Sequence, residues 1–211
     1  MKTSLAQPRP NRTILFIIDG MVSNLHEKIE MPGFSSLLKE GTLFKEVYLP
    51  LAAHPDSSAA YPWGCSLPNP VLMTGTVFIG QPGITENMIQ HSFTKRPTAF
   101  VANVWSYAAV SKGFTMYADC SNGEFANVFK DELSVEKAKE LILEHDPEFI
   151  RLHCQGPGSA GHRSYREEGK PYTHNIWHPA SPYLQQNQKV DSLLYHLCNG
   201  LKKKNFGKAP C

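Results

Sequence analysis

No stretch of this sequence approaches the roughly 20 consecutive apolar residues that a membrane-spanning helix requires. Nor does it open with the apolar core of a secretion signal: the first apolar run, Ile14 to Ile18, is short and ends in Asp19. A cytoplasmic protein without a membrane segment is the expectation. Cysteine is sparse and odd in number, five residues at positions 65, 120, 154, 198 and 211, with no Cys-x-x-Cys pair. That excludes a disulfide scaffold and the usual zinc-ribbon spacing, and reads as reduced thiols. An excess of one charge is lacking too: 21 Lys and Arg against 19 Asp and Glu leave a net +2, with no patch to recommend a nucleic-acid partner. The one basic run, Lys202 to Lys204, suits the solvated end of a helix. Internal repeats and low-complexity segments are absent. What is present is globular: 41% hydrophobic and 19% charged residues over 211 positions can bury one core, so a single α/β domain over 1–211 is expected.

The order of segments sets the fold class. Thr13-Ile-Leu-Phe-Ile-Ile18 is continuously apolar and β-branched, as a parallel central strand buried on both faces would be. Residues from Met31 to Glu40 carry Phe34, Leu37 and Leu38 at helical spacing and stop at Gly41. Strands are then expected over Thr42 to Leu49, Thr98 to Val104 and Thr115 to Ala118. The spacing predicts a helix from Ser134 to Glu144, with Ser134 as cap, a Glu136 and Lys139 pair, and an apolar stripe of Val135, Ala138, Leu141 and Ile142. Asp146-Pro147 ends it, Phe149 to Cys154 forms a strand, and Gln155 to Pro179 reads as a long polar loop. A last helix begins with Ser181 as cap and Pro182 in its first turn, with Val190, Leu193, Leu194, Leu197 and Leu201 on one face. Strands alternating with helices predict a mostly parallel central sheet flanked by helices on both faces.

Ligands of such sheets sit beyond the carboxyl ends of the strands. Three places qualify: Asp19, the segment from Gly64 to Asn69, and the loop after Cys154. Asp19 emerges at a strand end, where it could meet a cation or cap the next turn. Ser66 precedes an expected helix starting near Asn69 or Pro70, so its hydroxyl would face unpaired N–H groups that favour an anion, or simply cap them. Cys65 suits a small buried apolar residue. His153, His162, His174 and His178 are candidates for loop or core roles, or for single-metal ligation.

The ordered set Ile-Ile-Asp19-Gly, Met31-Pro-Gly-Phe-Ser-Ser-Leu-Leu-Lys-Glu-Gly-Thr42, Ser66-Leu-Pro-Asn69, Met73-Thr-Gly75, Gly83-Ile-Thr-Glu-Asn-Met88, Asp146-Pro-Glu-Phe-Ile-Arg-Leu-His153, Ser159-Ala-Gly-His162 and Lys189-Val-Asp-Ser-Leu-Leu194 resembles the type I phosphodiesterase/nucleotide pyrophosphatase group of the alkaline phosphatase superfamily. The resemblance implies an alkaline-phosphatase-like fold and a hydrolase of phosphate mono- or diesters acting on a small phosphorylated substrate. It also implies divalent metal, in that group zinc, bound by Asp19, Ser66 and His162. Ser66 would attack phosphorus and Asn69 would hold a non-bridging oxygen. The sulfatase branch needs Cys or Ser followed by x-Pro-x-Arg, and Ser66-Leu-Pro-Asn-Pro70 lacks the Arg.

Two departures qualify the resemblance. The group carries an Asp near the Gly-His of the later loop, whereas Gln155-Gly-Pro-Gly-Ser-Ala-Gly-His162 offers Gly156 or Gly158. The group's later Asp-His-Gly motif is absent, so the chain reads as the truncated N-terminal part of the catalytic domain, and a full two-metal site is not expected. The alternative is a catalytically silent relative that binds a phosphorylated ligand or a protein partner. Either way, an uncovered sheet edge predicts an oligomer or other partner there.

Overall fold

A computed structural model describes residues 12–46, 89–104, 107–108, 111–121 and 130–203. Four parallel strands, β1 (Thr13–Ile18), β2 (Thr98–Ala102), β3 (Met116–Asp119) and β4 (Phe149–Cys154), form one sheet in the order β1-β4-β2-β3. This is the α/β class the sequence predicts. Among the described residues, however, β4 rather than β1 lies inside the sheet. Its six residues are all buried, and it pairs with β1 from Thr13↔Phe149 to Ile18↔Cys154 and with β2 from Thr98↔Phe149 to Ala102↔His153.

Alternation divides the strand residues between two cores. On one face Ile150, Leu152 and Cys154 of β4 join Ala99 and Val101 of β2. They pack beneath the helices α2 (Asp131–His145) and α4 (Pro182–Lys203), which contribute Val135, Ala138, Leu141, Ile142, Val190, Leu197 and Leu201. On the other face Phe93, Phe100, Phe114 and Phe149 meet ring to ring, with Phe93 stacked on Phe149 at 4.6 Å. A short 3-10 turn, Ile89–Ser92, leads into that cluster. Helices α1 (Pro32–Leu38) and α3 (Gly156–Arg166) both pack on α4. No helix among the described residues is long and apolar enough to cross a membrane.

Several elements differ from the sequence-based reading, each for a local reason. Residues 42–46 are irregular, with Leu43 and Phe44 exposed, so the described part of the expected strand from Thr42 to Leu49 forms no ladder. Helix α2 begins at Asp131, three residues before Ser134, which is buried inside the helix and does not cap it. The i,i+3 ion pair on that helix is Lys137 with Glu140, at 2.5 Å. Residues 156–166, expected as loop, are helical. Pro157 is tolerated in a first turn because its missing N–H costs no helical bond there. At the end of α2, Asp146 takes a left-handed φ of 46° and accepts from both Arg12 and Arg96, tying the starts of β1 and β2 to the turn that enters β4. Of the cysteines among the described residues, Cys154 and Cys198 are buried and Cys120 is half-buried.

Candidate functional site

The chain of β1 leaves the sheet at Asp19, that of β2 at Asn103 and that of β4 at Gln155, which sets a row of polar side chains across the carboxyl ends of three neighbouring strands. The Asp19 amide donates to the Cys154 carbonyl at 3.0 Å, so the β1–β4 ladder runs up to this row. Gln155 Nε2 donates to Asp19 Oδ2 at 2.8 Å, and the Gln155 backbone N–H donates to Asn103 Oδ1 at 3.0 Å. Asn103 Nδ2 in turn donates to Asp131 Oδ1 at 2.7 Å. Asp131 also accepts the Gly156 N–H at 3.0 Å and Gln186 Nε2 at 2.8 Å. Hydrogen bonds therefore link Asp19 to α4 through both strand ends and the first residue of α2.

Asp131 is fully buried, and its three donors are all neutral. Burial raises its pKa, and the bonds from Gly156, Gln186 and Asn103 offset part of that rise. The close approach of α3 depends on glycine. A Cβ at Gly156 would collide with the Asp131 carboxylate, and one at Gly158 would collide with Asp19 Oδ2 and stand 3.3 Å from Gln155 Nε2. Gly20, at φ +70°, faces the same place: a Cβ there would lie 2.6 Å from the Gly158 Cα. Tyr183 of α4 fixes this turn by donating its hydroxyl to the Gly20 carbonyl at 2.9 Å and accepting the Val22 N–H at 3.0 Å.

The two glycines left open by the sequence face different carboxylates: Gly156 faces Asp131, whereas Gly158 faces Asp19. His162 lies one turn further along α3 and is exposed. His153 is instead a core residue of β4, its Nε2 2.9 Å from the Tyr107 hydroxyl. His174 and His178 lie in turns, His174 with φ 56°, so their i,i+4 spacing is not that of a helix. Ser66 and Asn69, and Cys65 beside them, lie outside the described residues.

A divalent ion is tested here by its donors. Asp19 and His162 are oxygen and nitrogen ligands of the kinds zinc takes, projecting from a strand end and from the helix packed on it. Among the described residues, no three His, Cys, Asp or Glu side chains gather closely enough to hold a metal ion. By residue type Asp19 and His162 match what a divalent ion takes, but the further ligand the resemblance implies, Ser66, lies outside the described residues, so the described donors are an incomplete set.

The rule that singles out Asp19, the first residue past a strand, also applies to Gln155 after Cys154, whereas Asn103 lies inside the strand expected from Thr98 to Val104 and stands at a strand end only because β2 stops at Ala102. Asp131 looks like any acidic residue opening a helix, and Gln186 carries no signal in sequence at all.

No protein-family model matches the chain, and no curated protein matches it. Solved structures do. Murine ectonucleotide pyrophosphatase/phosphodiesterase 5 superposes with a TM-score of 0.61 at 17% identity over 94% of this chain and 55% of that one. An inactive form of the same murine protein in complex with AMP superposes with a TM-score of 0.57 at 16% identity, over 92% of this chain and 53% of that one. The chain thus spans about half the length of these structures, and at such identity the likeness establishes the fold: an α/β domain similar to that of a nucleotide pyrophosphatase/phosphodiesterase.

Proposed function

We propose that this chain handles small phosphate esters at the carboxyl end of its sheet and hydrolyses them through Ser66. The observation that carries the reading is the position of Asp19, held at the tip of β1 against α3 in a fold similar to that of a phosphodiesterase. Asp19, Ser66 and His162 would hold one divalent ion, zinc in the related group. When bound, the ion would lower the pKa of the Ser66 hydroxyl and offset phosphate charge. Ser66 Oγ gives up its proton as it attacks phosphorus, the P–O bond to the leaving group breaks, and the departing oxygen takes up a proton. Asn69 donates its amide to a non-bridging oxygen as charge develops there. Water then cleaves the bond between Ser66 and phosphorus, releasing phosphate from a monoester or a phosphate monoester from a diester, and restores the hydroxyl. A nitrophenyl phosphate ester assayed with zinc or manganese tests this. Turnover should require the ion and fall at least about 100-fold in Ser66→Ala, as loss of a nucleophile does. Metal-dependent turnover undiminished in that variant would refute it.

One observation favours a second reading, a catalytically silent relative. Asp19 Oδ2 already receives the Gln155 amide, and Gly158 supplies no carboxylate. With no cation, the Asp19 carboxylate would repel a phosphate, which counts against a phosphorylated ligand for the silent chain. Absence of turnover with any divalent ion would favour it.

A further inference from the structure

We propose that Gln155 and Gly158 set the affinity of the Asp19 site for divalent ions, Gln155 by competing for the carboxylate and Gly158 by leaving out a second one. The inference rests on reading Asp19 as the residue that faces the cation. Gln155 is a built feature. Its backbone N–H is held by Asn103 Oδ1, its carbonyl accepts the Ser159 N–H at 3.1 Å to open α3, and its side chain reaches across the sheet to Asp19 Oδ2 at 2.8 Å. An amide N–H on that oxygen occupies a lone pair that a cation would use, so an incoming ion must displace a made hydrogen bond.

Gly158 acts on the same oxygen from the helix side. The direction of its missing Cβ runs into Asp19 Oδ2 and passes beside Gln155 Nε2, so any side chain at 158 would enter the space between the two. What it would meet is the Asp19 side chain, colliding with Oδ2 and standing 3.0 Å from Cγ, so the carboxylate would have to turn and give up its bond from Gln155. Residues 158 and 162 are four apart on α3, the spacing that places two ligands on one face of a helix. A carboxylate at 158 would therefore stand between Asp19 and the exposed His162, and three ligands of zinc-compatible chemistry would share one corner.

Zinc chloride titrated by calorimetry into the full chain tests this without reference to activity, with circular dichroism as the check on folding. Gly158→Asp should bind zinc at least about ten-fold more tightly than the natural chain, a gain of about 1.4 kcal/mol. Adding His162→Ala to it should remove most of the gain. Gln155→Glu, which turns the donor into an acceptor of the same size, is the second variant and does not depend on room at 158. It too should tighten zinc, and should lower the melting temperature in metal-free buffer because two carboxylates then face each other. Folded variants binding zinc within two-fold of the natural chain would overturn the inference, as would sub-micromolar zinc binding by the natural chain. A natural chain without measurable binding, alongside variants that gain it, would uphold the inference while counting against hydrolysis, so the two failures are separable.

Discussion

At the scale of single residues, the inner face of β4 carries charge where a strand core is normally apolar. Arg151 is fully buried, its guanidinium carbon 4.3 Å from the centre of the Phe100 ring and 5.1 Å from that of Tyr107. Ring faces of this kind contribute on the order of 2 kcal/mol to a desolvated cation, and burial pulls the group down to about 10. His153, two residues on and so on the same face, is pushed well below its ordinary 6.5, first by burial and then by Arg151. The sign follows from linkage. The unfolded chain takes a proton on this imidazole near pH 6.5 and the folded chain does not, so the stability it contributes is fully present above that pH and is lost as pH falls below it. One such group gives a slope of up to about 1.4 kcal/mol per pH unit. Urea unfolding between pH 7.5 and 5 should show that slope in the natural chain and a smaller one, by up to that amount, in His153→Gln. Equal slopes would mean that His153 is protonated in the folded molecule.

At the scale of elements, α1 depends on α4 for its beginning. Its own cap residue, Met31, has no side-chain bond to offer. The Asp191 carboxylate of α4 instead accepts the Gly33 N–H at 2.8 Å and the Phe34 N–H at 2.7 Å, and a Cβ at Gly33 would strike Asp191. A carboxylate on the orphan donors of a helix start satisfies hydrogen bonds and opposes the dipole at once. Asp191→Ala should therefore destabilise the protein by about 1–2 kcal/mol, measured by chemical denaturation, while Asp191→Asn should retain part of that loss; no change in Asp191→Ala would exclude the role. This dependence shows what was legible. The apolar run of β4 and the stripes of α2 and α4 report burial directly, whereas the equally apolar run of β1 is only half-buried at the edge of the described sheet; Ser181 caps α4 as expected, its Oγ accepting the Tyr183 N–H at 3.2 Å. Helix α3 was not legible because its glycines and proline weaken helix propensity, and what overrides it is contact with Asp19 and Asp131, which only the fold brings near. For the same reason Asp19 and Gln155 could each be named from a place after a strand, whereas the bond between them and the facing Gly158 could be identified only once β4 and α3 were set beside β1. The orphan donors of α1 are likewise met across 158 positions of chain, a pairing no local pattern encodes.

For the molecule as a whole, the sheet order makes stability unevenly distributed. Strand β4 is laddered on both sides, and its Leu152 is wholly buried under the cluster shared by α2 and α4. Strand β1 is at the edge of the described sheet and only half-buried. Beside it an apolar cavity of about 440 Å³ opens between β1, α1 and α4, lined by Phe16, Phe34, Leu37 and Leu197 among others. Packing around Leu152 is thus shared by most elements, and little can collapse to fill a hole there without moving two strands and two helices together. Leu152→Ala should cost about 2–5 kcal/mol, near the upper end because relaxation is blocked. Leu43, 37% exposed in the irregular stretch after α1, should cost no more than about 0.5 kcal/mol when replaced by Ala. Because typical domains hold only about 5–15 kcal/mol in all, the first substitution should lower the whole unfolding transition while leaving its denaturant slope unchanged. A Leu152→Ala protein whose far-ultraviolet and tyrosine signals separate into two transitions would instead mean that β4 does not couple the two faces of the sheet into one cooperative unit.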